Sequence, residues 1–236
     1  MVLTLFTDTT MIAGANAAAT LSVPLYGQEQ SLWCWAASVQ MVEQQLRGTH
    51  HTQCQIVKYG LGKTTECPNQ GASEAQAQTA IESAQMSSSG YYSNGLLPVK
   101  SLDLQISGGH PFLYHYAYTS GGGHMVVVTG SAPDPGGGAL NGVYWSDPLP
   151  VGAGLNPDPP IHACYTSPSG HADEPVDAQR ASSPPSHHPS RHRTHLVPLA
   201  TAAIGGSGLK NVGDWGYLNS NANWKAYSTI YMITKV

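Results

Sequence analysis

Gln28-Glu-Gln-Ser-Leu-Trp-Cys-Trp-Ala-Ala-Ser38 is the stretch that decides how the chain folds. It opens the strongest helical pattern in the sequence. From Leu32 to about Arg47, Trp35, Ala36, Val39, Val42 and Leu46 recur at three- and four-residue spacing, and Ser31 stands where an N-cap belongs. Cys34 then falls in the first turn. There, unpaired backbone N–H groups and the positive end of the helix dipole favour a thiolate, which is how a nucleophile is prepared. Helix position alone also suits an inert small core residue, the commoner fate of a buried cysteine.

Outward from this helix, Leu21 to Tyr26 reads as a short extended segment and Gly27 to Ser31 as a polar loop. Ser73-Glu74 and the Ala-rich stretch to Met86 predict a second helix, and Leu102 to Ile106 a short third one. The period then changes. Phe112 to Tyr118 alternates, Met125 to Thr129 is β-branched, and Gly142 to Trp145 is short and aromatic, so three strands follow the helices. Helices first and antiparallel strands second predict an α+β domain. From Tyr165 to about Pro198, Pro, Ser, His and Arg dominate, and Pro184, Pro185 and Pro189 forbid regular structure. Yet Trp224 to Ile233 is a strong alternating strand that has to rejoin a sheet. The prediction is one catalytic domain built from 21–164 plus 209–236, interrupted by a disordered insertion at 165–208.

Composition narrows the function classes. In 236 residues, 41% are hydrophobic, enough for one core, while only 10% are charged, so the surface is unusually neutral. A net charge of −4 provides no positive field to gather phosphates, which argues against a nucleic-acid partner. No apolar run approaches the roughly 20 residues of a membrane-spanning helix. Residues 1–20 combine broken apolar patches with the run Ala13 to Ala19 and its A-x-A patterns, and read as a degraded secretory signal or an Ala-rich tail. Cys34, Cys54, Cys67 and Cys164 show no metal-ligand spacing. Cys54 and Cys67 are close enough in sequence to form a disulfide, which would suit an oxidising compartment, although spacing does not fix the pairing. His187, His188, His192 and His195 cluster, but the Pro and Ser between them leave nothing to hold a metal geometry. No metal and no organic cofactor is expected.

A thiolate needs a proton acceptor. His124 follows Gly121-Gly-Gly123 and opens the strand Met125 to Thr129, a position that faces a cleft. By contrast His50, His51 and His162 lie in polar loops, His110 precedes a proline, and His115 is interior to a strand and packed. If the strand after His124 turns through Ser131 to Leu140 and Gly130 pairs with Asn141, then His124 faces Asp147 directly, with Cβ atoms roughly 5 Å apart. A one-residue bulge would spoil that register.

The segment Gln28 to Ser38 resembles the active-site segment of papain-like cysteine peptidases, with a Gln six residues before the nucleophile and Cys-Trp-Ala at the start of the central helix. Cys-Trp-Ala-Ala-Ser followed by an apolar helix is most similar to the bacterial branch that includes secreted avirulence effector peptidases of plant pathogens. Ser31-Leu-Trp33 stands where the family usually has Gly-x before the cysteine, which sets the chain apart from plant papain. Gly122 to Gly130 resembles the family's catalytic-histidine strand, and Val143 to Pro148 the strand that ends in its orienting Asn or Asp. The resemblance implies a papain-like fold, with a helical half led by the nucleophile helix and an antiparallel sheet half.

It also implies peptide-bond hydrolysis, with Cys34 as nucleophile, His124 as base and acid, and Asp147 fixing the imidazole. Gln28, six residues upstream, is the expected oxyanion donor together with the Cys34 N–H. Trp33 and Trp35 either line the substrate groove or simply pack. A protein or peptide substrate is expected, with secretion as the first expectation for location and the cytoplasm as the second. Two alternatives stay open: a Cys-dependent amidase or acyl transferase acting on a non-protein amide, and a non-catalytic interaction module or toxin scaffold on the same fold.

Overall fold

The helix led by Cys34 forms as its apolar period requires, but it begins three residues after Ser31. A computed structural model describes residues 19–119, 121–133, 140–148, 209–214 and 224–236. In it, α1 spans Cys34–Arg47 with Trp33 at the N-cap and no side-chain cap. Ser31 does not cap the helix: Gln30 and Trp33 close a turn in front of it, and the Ser31 hydroxyl instead accepts from Asn69 Nδ2 at 2.8 Å. Ten of the fourteen α1 residues are buried, from Cys34 through Glu43, so the helix runs inside the molecule.

Two further helices cover the same side. The helix α2, Gln53–Leu61, was not expected, and α3 is Glu74–Ser83. Each starts with a capping box, Thr52 with Gln55 and Ser73 with Gln76, which satisfies two orphan N–H groups at each start. Gly60 lets α2, α3 and α1 approach: a Cβ there would lie 2.8 Å from both the Trp35 ring and the Gln76 carbonyl. The fourth helix, α4, is Val99–Ser107.

The sheet is antiparallel throughout. Its strands are β1 (Ala19–Thr20), β2 (Met86–Tyr92), β3 (Phe112–Tyr118), β4 (Gly123–Pro133), β5 (Leu140–Asp147), β6 (Leu209–Asp214) and β7 (Trp224–Lys235). They lie in the order β2-β7-β3-β4-β5-β6, with β1 paired to β4. The helical and sheet halves interleave in sequence, because β2 falls between α3 and α4. Both faces of the sheet are covered, which explains why β3 is buried at six of seven positions. Leu113, Met125, Val127, Ile230 and Ile233 meet α1, α2 and α3 on one face, while Phe112, Tyr114, Val126, Val128 and Trp145 join Leu102 and Ile106 on the other.

The expected β4–β5 register is corrected. Gly130 pairs with Tyr144 rather than Asn141, and β4 runs on to Pro133 before the turn. The ladder also shifts by one residue between Val128 and Gly130, the kind of bulge that moves every later pair. The tail 1–18, the insertion 165–208 and its histidine cluster, His162 and Cys164 lie outside the described residues. Among the described residues no helix is long and apolar enough to cross a membrane.

Candidate active site

Helix α1 is hydrogen-bonded to strand β4 at Met125. The backbone N–H of Met125 donates to Cys34 Sγ at 3.3 Å, and Ser38, one turn further along the same helix face, donates its hydroxyl to the Met125 carbonyl at 3.1 Å. Both polar groups of Met125 are thus held by α1. This ties the backbone that follows His124 to the start of α1. Sequence reasoning missed Ser38, although its four-residue spacing from Cys34 puts it on the same face.

His124 Nε2 lies 2.8 Å from Asp147 Oδ1, with both side chains almost fully buried. The contact is diagonal. Continuing the observed ladder, Asp147 falls two residues from the position opposite His124, and a long imidazole spans that diagonal where a short side chain would not. The predicted partners therefore meet by a different register from the one expected. An ionised carboxylate only accepts, so beside one Nε2 carries the proton and Nδ1 is left as the acceptor.

Tyr116 lies across the β3–β4 ladder from His124, their rings edge to face with centroids 5.6 Å apart, and Tyr118 stands edge-on to Tyr116. Burial pushes both phenols upward, and the charge of Asp147 adds to it. They stay neutral, so no second anion competes with Asp147 for the imidazole.

Cys34 is disulfide-bonded, and no described cysteine is a free thiol. Cys54 and Cys67 are joined to each other, their Cα atoms 5.1 Å apart. That bridge anchors the loop 67–70 to α2, and the loop in turn holds the approach to Cys34. Pro68 and Gln70 carbonyls accept from the indole N–H groups of Trp33 and Trp35 at 2.9 and 3.1 Å, and Asn69 Oδ1 accepts from Leu32 N at 2.9 Å.

The two tryptophans are therefore packing residues. Trp33 is 3% exposed and Trp35 fully buried, so neither lines an open groove. Gln28 also differs from expectation. Its amide nitrogen donates to the carbonyls of Gln30 at 3.0 Å and Ser31 at 2.8 Å, because the turn in front of α1 curls those carbonyls back towards it. Its backbone N–H donates to the Pro148 carbonyl at 2.7 Å, tying the turn to the end of the Asp147 strand. Among the described residues no three His, Cys, Asp or Glu side chains gather to hold a metal ion.

The order of these parts along the chain is matched as a whole. A family model described as papain-like cysteine protease AvrRpt2 matches residues 17–153, more than half of the chain. The chain belongs to that family. It is a cysteine-type peptidase, an α+β hydrolase whose α1 begins at Cys34. Among curated proteins none matches the chain. The matched span of this papain-like protease contains Cys34, His124 and Asp147, while β6 and β7 lie beyond it.

Proposed function

We propose that this peptidase hydrolyses peptide bonds in protein or peptide substrates through Cys34, His124 and Asp147 and an acyl-enzyme thioester. One observation supports this most: a buried imidazole–carboxylate pair whose histidine is followed by a peptide N–H bonded to Cys34 Sγ. Catalysis starts from the reduced enzyme. A thiol reductant cleaves the bridge at Cys34, and His124 Nδ1 then takes the thiol proton, giving an ion pair stabilised by the start of α1. The sulfur attacks the scissile carbonyl carbon. The C–N bond breaks as His124 returns its proton to the leaving amine, and the acyl group stays on sulfur as a thioester. Water, deprotonated by His124, attacks the thioester, and the carboxylate product leaves as Cys34 is regenerated. Asp147 fixes the tautomer and faces the imidazolium in both steps.

The oxyanion forms beside the first turn of α1, where the Cys34 N–H has no intrahelical acceptor. Gln28 is the second donor. Its amide would exchange the Ser31 or Gln30 carbonyl for the oxyanion, since a charged acceptor binds an N–H about twice as strongly as a neutral one. The catalytic domain comprises 21–164 with 209–236, supported by the pairing of β6 with β5 and of β7 with β3 in one sheet. Secretion by a bacterium fits the Cys54–Cys67 bridge and the small-residue run after residue 12.

Iodoacetamide labelling of the reduced protein tests the site. Selective labelling of Cys34 near neutral pH, slowed in His124→Ala to the rate of an ordinary thiol, is the expected result, together with peptide hydrolysis that Cys34→Ala lacks. Equal labelling rates in the two proteins would overturn the triad.

A further inference from the structure

The turn that carries Gln28 is gripped from outside by one side chain. Gln53, the first residue of α2, is 1% exposed. Its Oε1 accepts from the backbone N–H of Glu29 at 2.9 Å, and its Nε2 donates to the backbone carbonyl of Gly27 at 2.8 Å. One carboxamide thus bonds the chain on both sides of residue 28, as a neighbouring strand would. The same Nε2 donates to Gln40 Oε1 at 3.1 Å, and Gln40 Nε2 donates to the His51 carbonyl at 3.0 Å. Gln40 is buried on α1, so the clamp is braced against the helix that carries Cys34. Nothing in general packing requires a buried glutamine at this point, and a buried amide is tolerated only where its bonds are made.

We infer that Gln53 is a positioning residue for the oxyanion site: its bidentate amide sets the backbone at residues 27 and 29, and through it the placement of the Gln28 amide relative to Cys34. This rests on the reading of Gln28 as an oxyanion donor. A donor must stand within a few tenths of an ångström of where charge develops, and misplacement by about 1 Å costs roughly 100-fold in rate.

Gln53→Ala and the isosteric Gln53→Glu, which loses both donated bonds, test it in the full-length reduced protein. Two measurements separate positioning from general loosening. The first is kcat and KM on a peptide amide. The second is alkylation of Cys34 by iodoacetamide, which displaces iodide from a saturated carbon, forms no oxyanion and reads only the Cys34–His124 pair. The expected result is a kcat about 10- to 100-fold lower, with KM within about threefold and the alkylation rate within about twofold of the parent. In the double variant Gln28→Ala/Gln53→Ala, kcat should be no lower than in Gln28→Ala alone, because the clamp acts through that residue. Parent-like kcat in both variants, a parallel fall in alkylation, or losses that multiply in the double variant would each overturn the proposal. Gln28→Ala alone reports on the underlying reading: if it leaves kcat intact, the donor assignment fails and the clamp with it. If it costs 100-fold while the Gln53 variants cost nothing, only the clamp fails.

Discussion

Two histidines on adjacent strands each hold a carboxylate, and they do so in different surroundings. His115 on β3 places Nδ1 2.9 Å from Glu74 Oε1, on the face that meets α1, α2 and α3. His124 on β4 places Nε2 2.8 Å from Asp147, on the opposite face beside Tyr116. The distances hardly differ; the surroundings do. Around the first pair stand Ser228, which also donates to Glu74 at 2.9 Å, and the ring of Tyr227. Next to the second stands the peptide that bonds Cys34. A buried His–carboxylate pair is thus a structural bolt by default, and what sets the second apart is the neighbouring peptide N–H that bonds Cys34 Sγ, which is why it is the pair proposed for catalysis.

The largest effect should come from deleting each histidine. His124→Ala should lower kcat/KM by about 10,000-fold or more, as removal of a proton carrier does, far beyond the loss of stability from unpairing the buried Asp147 carboxylate. His115→Leu should cost a similar amount of stability, about 2 kcal/mol, through the bond lost to a buried carboxylate, but leave kcat within about threefold of the parent. A collapse of turnover in a folded His115→Leu protein would break the comparison. Less is expected from Asp147→Asn. The amide oxygen still accepts from Nε2–H, but the charge facing the imidazolium is gone, so kcat should fall about 10- to 100-fold, measured on the same peptide.

The smallest effect is a pH dependence of stability at the His115 pair. Burial holds the His115 imidazole below its ordinary value, with the Glu74 carboxylate opposing that and His124 adding to it. The folded protein therefore keeps it neutral while the unfolded chain gains a proton below about pH 6.5, so stability falls as pH drops from there towards its folded value. Burial raises the Glu74 carboxyl, but its bonds from His115 and Ser228 and the attraction of His115 outweigh that and leave it low. Its contribution is present above about pH 4.3, its unfolded value, and disappears below that as pH falls through the folded one. Tyr91, beside the pair, is pushed upward by burial and by the charge of Glu74, so it adds no acid step. Urea midpoints from pH 8 to pH 4 should thus fall in two stages, the first absent in His115→Leu. A flat midpoint between pH 7 and pH 5 in the parent would show that the pair does not titrate as described.

Much of this was legible in the residues, for reasons that differ from place to place. The α1 period and the alternation of Phe112 to Tyr118 are strong because one stripe or one strand of apolar side chains leaves few competing readings, and β3 occupies those seven residues. The meeting of His124 and Asp147 was foreseen through a register that is already three residues out at Gly130, where β4 runs on past the expected turn, and the bulge after Val128 recovers only one of them; a ladder shift depends on what the sheet packs against, not on the two strands alone. Helix α2 was missed because polar residues 49–53 mask its start, though Thr52-Gln-Cys-Gln55 is a capping-box pattern that could have marked it. Strand β2 is poor in apolar alternation, Met-Ser-Ser-Ser-Gly-Tyr-Tyr, and is recruited by pairing with β7. Trp33 and Trp35 looked equally suited to groove and core, and only the loop held by the Cys54–Cys67 bridge decides for the core.

The place of β7 has a consequence for when this peptidase can act. It lies between β2 and β3, so residues 224–235 divide strands that the ribosome finishes long before. Until they arrive, β2 and β3 each expose an edge, and Ser228 is missing from the Glu74–His115 bolt. Pairings of such long sequence separation form late and slowly. The nascent chain therefore carries Cys34, His124 and Asp147 well before it has the whole sheet around them.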